Sequence, residues 1–273
     1  MQELAGCIVT TAKSTDEILD NISKNTKRTL GEAHLSRDWR ENKPIAIVGG
    51  GPSLRDTIGE LSKYQFVMVC GSAHDYVMKY AGCPIDFCVL CDPDPLIISY
   101  LKEIRQGTKY FVASQCSPEI FDYLKFNDVK IWHAAGENVD QAVFGKDKVP
   151  IGGGCTIGTR AIILAMAFGF NNIHLYGFDT CLTEDNRHHA YEFNDPEKEK
   201  VSLGNISEVK LSVDGPTFKV AGYMLGQLFD FKTLLKNYSS RVRIEIFGDG
   251  LLKHLLDTAK LKAKELEASK EVI

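Results

Sequence analysis

No stretch of this sequence reaches the roughly 18 consecutive apolar residues that a membrane-spanning helix needs. Basic residues are not in excess either: 32 Lys and Arg stand against 36 Asp and Glu, for a net charge of -4, which argues against a general nucleic-acid binder and leaves room for local basic patches alone. The opening Met1-Gln-Glu-Leu-Ala-Gly-Cys-Ile-Val-Thr10 lacks the charged and continuously apolar regions of a secretory signal, so a cytoplasmic location is expected. Zinc-type spacing is missing as well. Of the eight cysteines (7, 70, 83, 88, 91, 116, 155 and 181), Cys88 and Cys91 have C-x2-C spacing, but inside an apolar run with no further ligands nearby; buried reduced thiols are the expectation.

What is present is an ordinary globular composition, 44% hydrophobic and 25% charged over 273 residues, carrying a repeated pattern. From residue 43 onward short β-branched or apolar runs alternate with amphipathic stretches, the mark of an α/β fold with a mainly parallel sheet. Strands are predicted at 44–48, 66–70, 87–91, 110–113, 129–132, 173–176 and 242–247, and helices at 54–62, 73–80, 95–105, 118–124, 156–168 and 218–236. Ser53 is placed to cap the first of these helices, Ser117-Pro118 pairs an N-cap with proline, and Gly169 ends the helix at 156–168, which is apolar nearly all round and should be buried. Residues 1–42 show no strand signal; helical spacing of Ile18, Leu19, Ile22 and Leu30 predicts a helix at 15–30, and 257–272 reads as a solvated helix rich in Lys, Glu, Ala and Leu. The expected organisation is a helical N-terminal extension (1–42), a Rossmann-like domain with helices on both faces of its sheet (43–256) and a C-terminal helix (257–273).

The first strand runs into Val48-Gly-Gly-Gly-Pro-Ser-Leu54, a strand, tight loop and helix start of the kind that brings backbone N–H groups close to a phosphate. Gly49, Gly50, Gly51, Pro52 and Ser53 are therefore candidate nucleotide contacts. The dinucleotide fingerprint fails, because Leu54 stands at the third glycine and the next strand ends in Cys70-Gly-Ser72 without an acidic residue; a Walker loop fails for want of Gly-Lys-Ser/Thr. A second cluster, Gly152-Gly-Gly154-Cys-Thr-Ile-Gly-Thr-Arg160, opens the apolar helix, and both loops would meet at the carboxyl edge of the sheet. Gly153, Gly154, Thr156 and Arg160 join the candidates from there. A turn needed for chain reversal alone is the bland alternative for each.

Carboxylates at strand ends, Asp92, Asp94 and Asp179, could hold Mg²⁺, accept sugar hydroxyls, act as a base or, for Asp94 before Pro95, merely cap a helix. The loop Asp185-Asn-Arg-His-His-Ala-Tyr-Glu192 supplies His188 or His189 as a general base and Tyr191 for phosphate charge, while Ser72 and His74 follow the second strand toward the same edge. Trp39 and Trp132 read as packing residues, and Phe218, Tyr223, Phe229 and Phe231 as one buried helix face.

The order of Val-Gly-Gly-Gly-Pro-Ser-Leu54, Asp92-Pro93, Gly-Gly-Gly154-Cys-Thr156 and Ala-Phe-Gly169-Phe-Asn-Asn-Ile-His-Leu-Tyr-Gly-Phe-Asp179 resembles the 6-hydroxymethylpterin diphosphokinase MptE-like family, related to the Maf flagellin glycosyltransferases. The first and last motifs are also similar to those of bacterial sialyltransferases with a modified Rossmann sheet. That resemblance implies Gly49, Gly51, Pro52 and Ser53 at a nucleotide, Gly154 and Thr156 at its phosphate or sugar, Asp179 at the edge of the site and His188 or His189 as base. The chain departs from the archaeal diphosphokinases in having Asp92-Pro-Asp-Pro95 where they carry an Asp-Leu-Asp-Gly type motif. The expected function is nucleotide-dependent group transfer, foremost a glycosyltransferase with a CMP-sugar-like donor and a small-molecule or glycan acceptor. The alternatives are an Mg²⁺-dependent diphosphokinase acting from ATP on a hydroxymethylpterin-like acceptor, with Asp92 and Asp94 as metal ligands, and a non-catalytic nucleotide or sugar binder. Homo-oligomer formation is left open.

Overall fold

The computed structural model describes residues 13–33, 43–136, 139, 143–211 and 215–270. Its central strand, β2 (Pro44–Val48), follows the two-residue β1 (Gly31–Glu32) in the chain and lies between β3 (Phe66–Cys70) and β7 (Asn172–Tyr176), parallel to both. With β4 (Phe87–Leu90), β5 (Lys109–Ala113), β6 (Asp128–Trp132) and β10 (Arg243–Phe247) these strands form an eight-stranded parallel sheet in the order β1-β6-β5-β4-β3-β2-β7-β10. The chain winds outward from β2 through β6 and then returns to the other side of β2. The loops leaving β2 and β7 therefore lie at a topological switch point, where open α/β sheets leave a crevice.

Alternation along β2 divides the apolar residues between two layers. Ile45 and Ile47 join Met68 and pack with α5 (Ile157–Ala167) and α7 (Gly222–Tyr238) through Ala161, Leu164, Met224 and Leu228. Ala46 and Val48 join Val67 and Val69 and pack with Leu54 of α2 (Leu54–Thr57), Leu61, and Val77 of α3 (His74–Tyr80). A strand covered on both faces is apolar at every position, which is why Ile-Ala-Ile-Val carries so strong a signal. Among the described residues no helix is long and apolar enough to cross a membrane. Trp132 is a packing residue, its indole N–H donating to Phe111 O at 3.1 Å; Trp39 lies outside the described residues.

The predicted strands from 44 to 247 all form, with ends shifted by at most a residue, and the differences lie elsewhere. The helix predicted at 95–105 is a single 3-10 segment, Pro95–Tyr100, because the Asp75 carboxylate captures the N–H groups of Lys102 and Glu103 and draws the chain out of helix. The helix predicted from 218 starts at Gly222. Residues Thr217–Val220 instead form β9, paired antiparallel with β8 (Ser207–Lys210) behind α6 (Pro196–Leu203), three elements that the polar sequence concealed. Phe218 thus lies on a strand, and Phe229 is exposed while Phe231 is buried, so the aromatic residues do not share one buried face. The C-terminal helix, α8 (Leu251–Lys270), begins earlier than expected and buries Leu251, Leu252 and Leu256.

Residues 1–42 do contain a strand, since β1 pairs with β6, and the helix predicted at 15–30 is α1 (Thr15–Asn25). A capping box of Ser14 and Glu17 starts it. Its end is clamped to the turn that joins β5 to α4 (Pro118–Tyr123): the fully buried Asn25 donates through Nδ2 to Ser114 O at 3.0 Å and Cys116 O at 2.8 Å, and Asn21 donates to Gln115 O at 3.1 Å. Replacing Asn25 with alanine strips two buried carbonyls of their donor and is expected to cost about 2 kcal/mol or more in urea unfolding, whereas the partly exposed Asn21→Ala should cost under about 1 kcal/mol. Equal midpoints for the two variants would contradict this clamp.

Candidate functional site: a cavity at the switch point

The loops that leave β2 and β7 cross at the switch point, and glycine is required on both. Gly177, at φ +65°, accepts the N–H of Gly51 at 2.8 Å, and the N–H of Gly49 donates to Tyr176 O at 2.8 Å. A Cβ on Gly49 would lie 2.7 Å from the Gly177 carbonyl oxygen, and one on Gly177 would lie 2.7 Å from the Gly49 carbonyl oxygen. Asp179 then clasps the loop. It accepts the Ser53 N–H on Oδ2 at 2.8 Å and the Ser53 hydroxyl on Oδ1 at 2.5 Å. Ser53 therefore does not cap α2 as expected, because its hydroxyl is committed to Asp179. The loop leaving β10 closes over the same carboxylate: Gly248 abuts Ser53 Oγ, and a Cβ on Gly250 would be 2.7 Å from Asp179 Cα. Asp179 is 5% exposed. Burial pushes its carboxyl up to about 6, with Asp249 and Asp56 adding to the rise and the Ser53 hydrogen bonds opposing it.

With those bonds made, the N–H groups of Gly49, Gly51 and Ser53 serve protein acceptors, and that of Gly50 has none among the described residues. Beside the crossing lies a cavity of about 130 Å³. Of the residues singled out in the sequence, it is lined by Gly49, Gly50, Gly51, Ser72, Thr156, Asp179, His188 and His189. The others sit elsewhere. His74 is fully buried in the core, its ring nitrogens engaged by Asp75 at 2.9 Å and Tyr110 at 3.1 Å, which corrects its expected place at the ligand edge. Gly154, at φ +93°, is pressed against Asp230 of α7, which also accepts the Cys155 N–H at 2.7 Å. Gly153, at φ +126°, packs against the backbone of Arg160, whose guanidinium donates to Ile151 O at 3.3 Å. Gly153 and Gly154 thus make room for protein atoms, Gly152 faces open space, and Thr156, the N-cap of α5, is what that loop brings to the cavity. Asp94 caps the 3-10 segment by accepting Leu96 N–H at 2.8 Å, and Asp92 accepts Asp94 N–H at 2.9 Å. Neither lines the cavity, nor does Pro52. Tyr191 stands behind it, its hydroxyl 2.8 Å from Ser72 Oγ and its ring stacked on His189 at 5.0 Å.

The two histidines occupy different environments. His188 is held from both sides: Nδ1 is 2.9 Å from the Tyr223 hydroxyl, and Nε2 is 2.9 Å from a Glu199 carboxylate oxygen, off the line that a good hydrogen bond requires. Burial pulls its pKa down, while the Glu199 charge opposes the shift. His189, its ring centroid 4.0 Å from that of His188, has no partner for its buried Nδ1 among the described residues; burial, followed by the neighbouring His188, pulls it down to about 3, so the ring is neutral at physiological pH. Tyr223, Glu199, Thr180 and Gln227 complete the surroundings and were not among the candidate site residues of the sequence. Tyr223 was hidden in an aromatic spacing that read as core, and Glu199 in a charged run. Thr180 has a backbone signature invisible in sequence, φ +54°, an uncommon conformation for a β-branched residue, and its hydroxyl donates to Gln227 at 3.1 Å.

Because the folded state raises the Asp179 pKa above its ordinary 3.8 to about 6, its contribution is full below pH 4 and declines by about 3 kcal/mol as pH rises through 6. Asp179→Asn retains an acceptor for the Ser53 N–H and a donor to its hydroxyl but cannot ionise. Urea unfolding between pH 4 and 7 is expected to show a smaller decline for the variant than for the parent; parallel pH curves would refute the buried carboxyl's role.

The family model described as 6-hydroxymethylpterin diphosphokinase MptE-like matches residues 16–185. No curated protein matches the chain. Among solved structures, the Maf glycosyltransferase of Magnetospirillum magneticum AMB-1 superposes with a TM-score of 0.62 at 18% identity, over 86% of this chain and 37% of its own. The present chain therefore spans little more than a third of that protein, and the likeness is one of fold. A mammalian sialyltransferase in complex with Gal-beta-1-3GalNAc-ortho-nitrophenol aligns at 12% identity over 87% of this chain and 80% of its own, with a TM-score of 0.44. The sialyltransferase CstII of Campylobacter jejuni, in complex with the substrate analogue cytidine-5'-monophosphate, aligns at 13% identity over 78% and 83%, with a TM-score of 0.41. The match to the family model spans more than half of the sequence, and the chain belongs to the 6-hydroxymethylpterin diphosphokinase MptE-like family.

Proposed function

We propose that the chain is a nucleotide-dependent group transferase of glycosyltransferase type, binding a nucleotide-sugar donor, CMP-sugar-like, at the switch-point cavity and removing a proton from an acceptor hydroxyl through the His188 and His189 wall. The observation that carries this reading is the placement of two histidines, His188 buried and His189 half-buried, in the same cavity as the glycine crossing, where Gly50 keeps a backbone donor for phosphate. The shared fold with a Maf glycosyltransferase is consistent with it. A cavity of about 130 Å³ is smaller than the roughly 300 Å³ at the low end for a ligand pocket, so admitting a nucleotide requires the cavity to widen. Catalysis would rest on alignment of donor and acceptor and on the backbone N–H of Gly50 near the leaving phosphate.

The family description favours a second reading, diphosphate transfer from ATP to a hydroxymethylpterin-like acceptor, which needs Mg²⁺ across the phosphates. Asp92 and Asp94, the carboxylates expected to hold the ion, are poorly suited to it, since each accepts an N–H group of its own turn, neither lines the cavity, and no three His, Cys, Asp or Glu side chains gather as a metal set among the described residues.

Incubation with CMP-, UDP- and GDP-sugars, and separately with ATP and Mg²⁺, followed by mass spectrometry of released nucleotide, distinguishes these readings. Release of CMP from a CMP-sugar, with CMP giving a larger thermal shift than UDP, GDP or ATP, is expected. Diphosphate transfer from ATP would favour the second reading, and retention of a nucleotide without turnover would leave a binding protein.

A further inference from the structure

We propose that Glu199, His188 and Tyr223 form a proton relay in which the Tyr223 hydroxyl, at the cavity wall, exchanges the proton with the acceptor, His188 stores it and Glu199 positions His188. This inference rests on the transferase reading and names the group that meets its substrate. His188 is hydrogen-bonded through Nδ1 to Tyr223 on α7 at 2.9 Å, its Nε2 faces a Glu199 carboxylate oxygen on α6 at 2.9 Å in a charge contact that is off the hydrogen-bond line, and the residue is 5% exposed. An imidazole so placed has no nitrogen left for a substrate.

The direction of the relay follows from the chemistry of its ends. A carboxylate can accept and not donate, so the Glu199 oxygen beside Nε2 selects the tautomer with its proton on Nε2. Nδ1 then carries the lone pair, and the Tyr223 hydroxyl must be the donor between them. The Tyr223 oxygen keeps acceptor capacity toward the cavity that its residue lines. The titratable groups facing His188 are Glu199 from α6, Tyr223 from α7 and His189 on the same loop, with the Phe193 ring at 5.8 Å. His189 is no substitute for this relay: its ring lies against Tyr191 and Phe193, and its unpartnered Nδ1 is suited to a hydrogen bond with bound ligand.

In the step, the acceptor O–H bond breaks as its oxygen forms a bond to the anomeric carbon of the donor. That proton passes to the Tyr223 oxygen while the phenolic proton of Tyr223 passes to His188 Nδ1. The bond from the anomeric carbon to the phosphate oxygen breaks, and its electron pair leaves with the nucleotide. The resulting imidazolium faces the Glu199 carboxylate, which stabilises it until the proton is lost to solvent.

The test uses the full chain labelled with ¹⁵N-histidine, His188 being assigned by loss of its signals in His188→Gln. Long-range ¹H–¹⁵N spectra at neutral pH are expected to show His188 protonated on Nε2, and Tyr223→Phe should move the Nδ1 resonance toward that of an unbonded imidazole nitrogen. Protonation on Nδ1, or no shift in Tyr223→Phe, overturns the relay without any substrate being known. On a nucleotide sugar that the parent turns over, Tyr223→Phe is expected to lower kcat about 100-fold with little change in KM. Glu199→Gln should lower kcat about tenfold and displace the pH–rate profile, and Glu199→Asp should restore part of the loss. Parental kcat in Tyr223→Phe overturns the catalytic role of the relay. No release from CMP-, UDP- or GDP-sugars, with the Nε2 tautomer intact, overturns the transferase reading and leaves the hydrogen-bonded chain itself standing.

Discussion

The close approach of two backbones, at Gly49 and Gly177, is the constraint on which this site depends. Each carbonyl occupies the space a side chain would need on the other loop, so the loops leaving β2 and β7 can touch only as glycine against glycine. Once they touch, Asp179 is carried to the mouth of the first loop and takes both the N–H and the hydroxyl of Ser53. The loop from β10 then packs on Asp179, whose carbonyl accepts the N–H of Leu251 at the start of α8. One crossing thus fixes the exits of three adjacent strands, and the cavity is the space left beside it. The glycine loop is better described as a framework that presents the N–H of Gly50 than as an open cradle of several donors.

The parts of the fold that were legible are those whose physics is local or periodic. Ile45 to Val48 reads as a strand because both faces are covered and every position is apolar, and the apolar helix α5 reads as buried for the same reason. What escaped depends on partners distant in sequence. The end of the 3-10 segment at Tyr100 is decided by Asp75, and the role of Ser53 by a carboxylate 126 residues away. In the site, His188, His189 and Asp179 were visible as chemistry-bearing side chains at a strand exit. Tyr223 and Glu199 were not, because an aromatic residue on a helix and a glutamate in a charged run look the same whether or not a histidine waits opposite.

Burial gives the cavity wall its electrical character. Its histidines are pulled toward the neutral form and its carboxyl toward protonation, so the groups around the cavity carry less charge near neutral pH than their names suggest. Such a wall favours hydrogen bonding and proton exchange over ion pairing, and any phosphate that enters meets backbone and hydroxyl donors before it meets a full positive charge.

The N-terminal clamp has a consequence for how the molecule is made. Asn25 belongs to the first described helix to leave the ribosome, yet its two carbonyl partners lie 89 and 91 residues later in the chain. During synthesis α1 has nothing to grip until β5 and the turn after it have emerged and the strands between have paired. This helix is therefore docked late, and it locks the far half of a sheet that must first assemble without it.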